Sequence, residues 1–167
     1  YVLSFPTADK TWVFDAAENL WHERSYSDEE GRQHRVRGVN QMDFDGETLV
    51  GDWEFGGIYR LSLDVYFDAG SPIMRRRVCP HLANDLKQQL FHSLQIDMET
   101  GVGLPAFQGS DPQAMLDWSD DGGHTWSNEL WAPIGKIGEY RTRVRWRRLG
   151  KSRDRIFRVT ITDPVKV

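Results

Sequence analysis

Ser119-Asp120-Asp121-Gly122-Gly123-His124-Thr125-Trp126 is the stretch on which the fold turns. It fits the spacing S-x-D-x-G-x-T-W, the Asp-box, whose fixed positions here are Ser119, Asp121, Gly123, Thr125 and Trp126. Asp121 can cap backbone donors of the turn, Gly123 supplies a backbone angle that larger residues resist, and Trp126 packs beneath the hairpin. All of these tasks are structural. The spacing predicts a strand from Met115 to Ser119, a turn from Asp120 to His124, and a returning strand that opens at Thr125-Trp126.

Two earlier segments repeat this design of an apolar strand ending near an Asp, a polar turn and an aromatic on the return. Trp12-Val13-Phe14-Asp15 leads through Ala16 to Asn19 into Leu20-Trp21, and Thr48-Leu49-Val50-Gly51-Asp52 leads through Gly56-Gly57 into Ile58-Tyr59-Arg60-Leu61. Downstream, period-two alternation predicts a strand over 90–98, with Leu90, Leu94, Ile96 and Met98 on one face together with a core His92. The same alternation places Tyr140, Thr142, Val144 and Trp146 on a core face opposite a stripe of Arg141, Arg143, Arg145 and Arg147. A turn from Leu149 to Asp154 and a returning strand over 155–161 follow. Between them, residues 101–112 form a loop rich in glycine.

Composition agrees with an all-β chain. Seven Trp, eight Phe and five Tyr stand beside 15 Gly in 167 residues, and large rings with tight turns fill and reverse pleated sheets. The expected architecture is a set of antiparallel β-propeller-like blades with an Asp-box hairpin. The step of 38 positions from Trp21 to Tyr59 suits a blade of about 40 residues. The alternative is a β-sandwich, whose hairpins also recur at short intervals. Residues 1–167 are read as a single all-β domain, the C-terminal part of a longer propeller protein. At about 40–50 residues per blade the chain holds three to four blades, an incomplete propeller.

Formal net charge is −4, yet residues 1–70 hold six Lys/Arg and 14 Asp/Glu, a balance of −8, while residues 71–167 hold 15 and 11, a balance of +4. A uniformly basic nucleic-acid binder is therefore not expected. Arg75-Arg76-Arg77 and the arginines of 141–158 concentrate the positive charge in guanidinium groups suited to carboxylate or phosphate. One reading is that cross-strand Asp and Glu neutralise these arginines; in the other, Arg141, Arg143, Arg145, Arg147 and Arg148 are the candidate partner-docking residues, with the 101–112 loop as a second contact.

Little supports catalysis. Cys79 is the single cysteine, and the five histidines show no metal-ligand spacing. Asp43, Asp45 and Glu47 around Gly46 read as a solvated turn and not a calcium loop. No phosphate-cradling or nucleophile motif occurs, and no apolar run approaches the ~18 residues of a membrane span. The Asp-box is found in sialidases and other β-propellers, but away from their active sites. No enzyme, cofactor or metal is expected.

The motifs together carry a resemblance. Asp117 to Glu129, then Gly135-Lys136-Ile137-Gly138-Glu139-Tyr140-Arg141-Thr142-Arg143-Val144, then Trp146-Arg147-Arg148-Leu149-Gly150 and Arg153-Asp154-Arg155, closing on Asp163-Pro164-Val165-Lys166, resemble the packaged-DNA stabilization proteins of short-tailed double-stranded-DNA phages and prophages. Thr11-Trp12-Val13, Leu20 to Arg24, Leu61 to Tyr66, Phe91 to Leu94 and Asp97 to Gly103 agree with it. The resemblance implies a tail accessory, or head-completion, protein that assembles in several copies in the virion. Such a protein plugs the portal channel beneath the portal and adaptor ring, and serves as a platform for tail needle and tailspike. It would act in the host cytoplasm during assembly, with packaged DNA nearby. Competing readings are an Asp-box glycan-binding or sialidase-like module, with an aromatic-lined sugar pocket, and direct DNA binding by the basic half.

Overall fold

A computed structural model describes residues 1–28 and 30–166. Every regular element in it is a strand, eighteen in all among the described residues, so the all-β expectation holds. The single-domain reading meets a division into two compact units, Tyr1–Ile73 and Met74–Val167. That boundary coincides with the charge break: the six Lys/Arg and 14 Asp/Glu of residues 1–70 all lie in unit 1.

Unit 1 is built of sequential antiparallel meanders. Strands β1 (Val2–Phe5), β2 (Lys10–Asp15), β3 (Leu20–Ser27) and β4 (Gln33–Arg35) pair in chain order. Strands β5 (Gly38–Phe44), β6 (Glu47–Asp52) and β7 (Ile58–Leu61) do the same, and β8 (Phe67–Asp68) pairs with β9 (Ser71–Pro72). The two hairpins expected here form as read: Asp15 pairs with Leu20, and Gly51 with Ile58. In each, the terminal Asp caps its turn, Asp15 accepting from the Ala17 amide at 2.9 Å and Asp52 from the Glu54 amide at 2.6 Å. Asp45-Gly46, both at positive φ, close β5 onto β6 in a two-residue turn, the solvated turn expected there. Only Thr11 and Val13 are buried among the described residues of this unit.

Unit 2 departs from a blade. Its main sheet runs β10 (Arg75–Val78), β18 (Asp154–Ile161), β14 (Gln113–Ser119), β15 (Leu130–Pro133), with β11 (Leu82–Ala83) also on β18. Strand β16 (Val144–Arg147) does not turn back onto β18. It pairs with β13 (Ser93–Ile96), while β17 (Lys151–Ser152) pairs with β12 (Gln89–Leu90). Successive strands thus enter different sheets, as in a sandwich and not in a meandering blade. The core lies between them: Leu116, Phe157 and Val159 from the main sheet meet Val144 and Trp146 of β16, with Leu94, Ile96 and Met98 packed against that cluster. The propeller reading therefore gives way in unit 2 to the sandwich alternative.

Three local expectations are corrected. The strand after the Asp-box begins at Leu130, not at Thr125-Trp126, because Thr125 is held within the turn by Asp121. Tyr140, Arg141 and Arg143 precede β16, and Tyr140 is exposed; Gly135 and Gly138 adopt positive φ and bend this stretch into turns. The predicted 90–98 strand breaks between β12 and β13, leaving Leu90 and His92 exposed while Leu94, Ile96 and Met98 keep the core face.

Candidate functional site

The Asp-box turn is closed by its own side chains. Ser119 Oγ donates to Asp121 Oδ1 at 2.6 Å and accepts from the Gly123 amide at 2.8 Å. Asp121 Oδ1 accepts from the Thr125 amide at 2.9 Å, and its Oδ2 from Thr125 Oγ1 at 2.6 Å. Donation from Ser119 and then from Thr125 holds the Asp121 carboxyl well below its ordinary range. At Gly123 a side chain would meet nothing closer than Trp126 at 3.9 Å, so the glycine answers to its φ of 96° and not to space. Ser119, Asp121, Gly123 and Thr125 are thus occupied with the turn itself.

Trp126 packs through an arginine. Arg158 places its guanidinium carbon 3.7 Å over the Trp126 ring and pairs with buried Asp117, its cross-strand neighbour, through Nε at 2.9 Å. Arg155, 3% exposed, donates from Nε and Nη2 to Asp120 at 2.6 and 2.7 Å and from Nη1 to the Leu149 carbonyl. These two arginines belong to internal ion pairs, which removes them from the basic surface that the sequence pattern drew. Sequence reasoning allowed for neutralisation by cross-strand Asp and Glu, and these two arginines follow it, but the partners could not be named because Asp117 and Asp120 lie 41 and 35 positions away. Only the β14–β18 register joins them.

The docking candidates behave differently. Arg141, Arg143, Arg145, Arg147 and Arg148 are all exposed, and among the described residues none forms an ion pair with a carboxylate. Arg145 donates to Ser93 Oγ at 3.1 Å, and the Arg148 amide, at φ 61°, donates to the His92 carbonyl. They do not form one strand face. Arg141 and Arg143 come from the turn side, Arg145 and Arg147 project from β16, and Arg148 follows it.

The 101–112 loop reaches the same place. Thr100 Oγ1 donates to the Tyr140 carbonyl at 3.1 Å and the Gly138 amide to the Gly101 carbonyl at 3.2 Å. A side chain on Gly101 would stand 2.6 Å from Tyr140 Cδ1, and one on Gly103 would stand 2.9 Å from the Ile137 amide nitrogen. The two glycines therefore let the loop lie against residues 136–140, next to Arg141. At its tip Phe107 is 94% exposed.

In unit 1 an open pocket of about 510 Å³ is lined by Tyr26, His34, Arg37, Trp53 and Phe55, together with carboxylates. One face of each of two rings carries an arginine: Arg37 lies 3.8 Å over Tyr26 and Arg35 lies 3.9 Å over Trp53, while Phe55 is exposed. His34, which sequence reasoning assigned no role, bridges Asp9 at 2.7 Å and Asp28 at 3.1 Å. Burial works against the Asp28 charge, but bonds from His34 and Arg32 outweigh it and lower Asp28 to about 2. The same bonds, from Asp28 and then Asp9, raise the imidazole above its usual value.

The sandwich of unit 2 has a counterpart in a known family. The family described as bacteriophage P22 Gp10, beta-sandwich, matches residues 74–167. The chain belongs to that family. The match spans the whole of unit 2 and more than half of the chain, so its sandwich is the Gp10-type sandwich and the chain is a phage virion structural protein. No curated protein matches the chain. Among the described residues no helix is long and apolar enough to cross a membrane.

Proposed function

We propose that this Gp10-family chain is a non-enzymatic head-completion protein of the head–tail junction. It stabilises packaged DNA by helping to plug the portal channel, and it offers a platform to the tail needle and tailspike. The observation that carries this reading is the family match over residues 74–167, supported by the likeness of the motif series to packaged-DNA stabilization proteins. The exposed arginines 141, 143, 145, 147 and 148, which form no ion pair among the described residues, supply a positive patch for docking onto an acidic neighbour such as the portal–adaptor ring. Phe107 on the adjoining loop supplies an apolar anchor.

Binding to purified portal–adaptor complexes tests this. The intact chain is expected to bind, with affinity that falls as salt rises. Changing Arg141, Arg143, Arg145 and Arg147 together to Ser should weaken binding by about a hundredfold, at roughly 0.7 kcal/mol per charge. Equal binding by this variant would remove the arginine face from the proposal, and absence of binding by the intact chain would remove the portal–adaptor partner. Affinity for duplex DNA, and not for the ring, would favour the direct DNA reading.

A further inference from the structure

Unit 2 has an open seam. Strand β10 is the end strand of the main sheet, and β13 pairs only with β16 among the described residues. Between these two edges lies a slot of about 340 Å³, floored by Ile96, Met98, Val159 and Ile161 and bordered by Arg76 and Arg77. The Cys79 amide donates to the Phe157 carbonyl, and the register pairs Arg77 with Val159 and Arg75 with Ile161. By antiparallel alternation, Arg76 and Val78 turn their own N–H and C=O groups away from β18, toward the open edge. The sandwich thus presents an unpaired backbone ladder directly beside exposed interior.

An arginine on an edge strand is also a common guard against unwanted pairing. Here the arginines are divided in their tasks. Arg75 is drawn inward to the carbonyls of Asp163 and Val165, and Arg76 Nε reaches Thr160 Oγ1 at 3.4 Å. Arg77 remains exposed at the mouth of the slot, on the same face of β10 as the floor residue Val159. No carboxylate lines the slot. Apolar depth, positive rim and open backbone edge together define a strand-addition site.

We propose that the β10 edge receives an extended segment of a partner protein in which aliphatic residues alternate with Asp or Glu. Its backbone pairs with Arg76 and Val78, its aliphatic side chains enter the slot onto Ile96 and Met98 beside Arg77, and its carboxylates, on the opposite face, meet Arg76. This surface is distinct from the 141–148 arginine face and stands whether or not that face docks on the portal.

The test uses the full chain and a seven-residue peptide of alternating glutamate and valine, Glu at both ends, beside its lysine-for-glutamate and serine-for-valine counterparts. Affinity is read by calorimetry up to millimolar peptide, and site occupancy by amide hydrogen exchange. The glutamate–valine peptide is expected to bind and to slow exchange at Arg76 and Val78, and the two counterparts to bind about tenfold more weakly or worse. Arg76→Glu, on the carboxylate face, should weaken binding by a similar factor. Val78→Pro removes an outward donor while sparing the bonds to β18, so it should abolish binding in a chain that remains folded. Unchanged exchange at Arg76 and Val78, equal binding of the lysine peptide, or unaltered binding by Val78→Pro would each overturn the proposal.

Discussion

Arg155 and Asp120 face each other in a two-pronged ion pair, with Nε and Nη2 of the arginine 2.6 and 2.7 Å from the two carboxylate oxygens. The arginine is 3% exposed and lies among the rings of Phe91, Trp118 and Phe157, whereas the carboxylate is 43% exposed. Asp120 occupies a variable position of the Asp-box, so the turn both closes itself and neutralises a buried charge in the neighbouring strand. Asp120→Ala leaves that charge in an apolar setting with the Leu149 carbonyl as its remaining partner. The expected loss is about 3 kcal/mol, the lower end for a broken buried pair because Asp120 keeps contact with water. Urea denaturation of unit 2 measures it, and a loss under about 0.5 kcal/mol would contradict the pairing, being what an ordinary surface change gives.

Within the box, Asp121 has its carboxyl depressed by donation from Ser119 and Thr125. A depressed acid stabilises the fold at pH above its ordinary value of 3.8, and that contribution is lost as pH falls through the lowered value. Asp121→Ala should therefore flatten the acid limb of the stability curve below pH 3.8. It should also speed amide exchange at Thr125 at neutral pH, while exchange in β18 changes little.

His34 acts with the opposite sign in unit 1. Its imidazole is raised above the ordinary 6.5 by bonds to Asp28 and Asp9, so its contribution is complete below pH 6.5 and is lost as pH climbs through the raised value. Asp9 also accepts from the Arg35 amide at 3.0 Å, which ties β4 to the same cluster. Amide exchange at Arg35 is expected to accelerate on the alkaline side of that titration, beyond the intrinsic pH dependence. His34→Gln should remove the extra acceleration.

Gly101 sits at φ 78°, with its missing side chain pointing at Tyr140. Gly101→Ala places a carbon 2.6 Å from Tyr140 Cδ1 and 2.9 Å from the Tyr140 amide nitrogen. Backbone strain and this contact together should cost about 2 kcal/mol. Because the loop then leaves residues 136–140, portal–adaptor affinity should fall alongside stability. A stable variant with full affinity would detach the loop from the docking surface.

Features set by near neighbours in the chain follow from the residues alone. Asp15 and Asp52 sit two positions before the amides they cap, and the box residues lie within eight positions of one another, so those turns were legible. Alternation correctly turned Val144, Trp146, Leu94 and Ile96 toward the core, because period two reports which face of a strand meets apolar surroundings, and it failed at Leu90, His92 and Tyr140, where the strand does not extend or breaks off. It does not report which strand lies alongside. That β16 joins β13 while β18 joins β14 and β10 is a choice among long-range pairings of similar local propensity, and only packing of the two layers decides it. The same choice separates the arginines: Arg155 and Arg158 meet Asp120 and Asp117 across the β14–β18 register, whereas Arg141, Arg143, Arg145, Arg147 and Arg148 form no ion pair among the described residues.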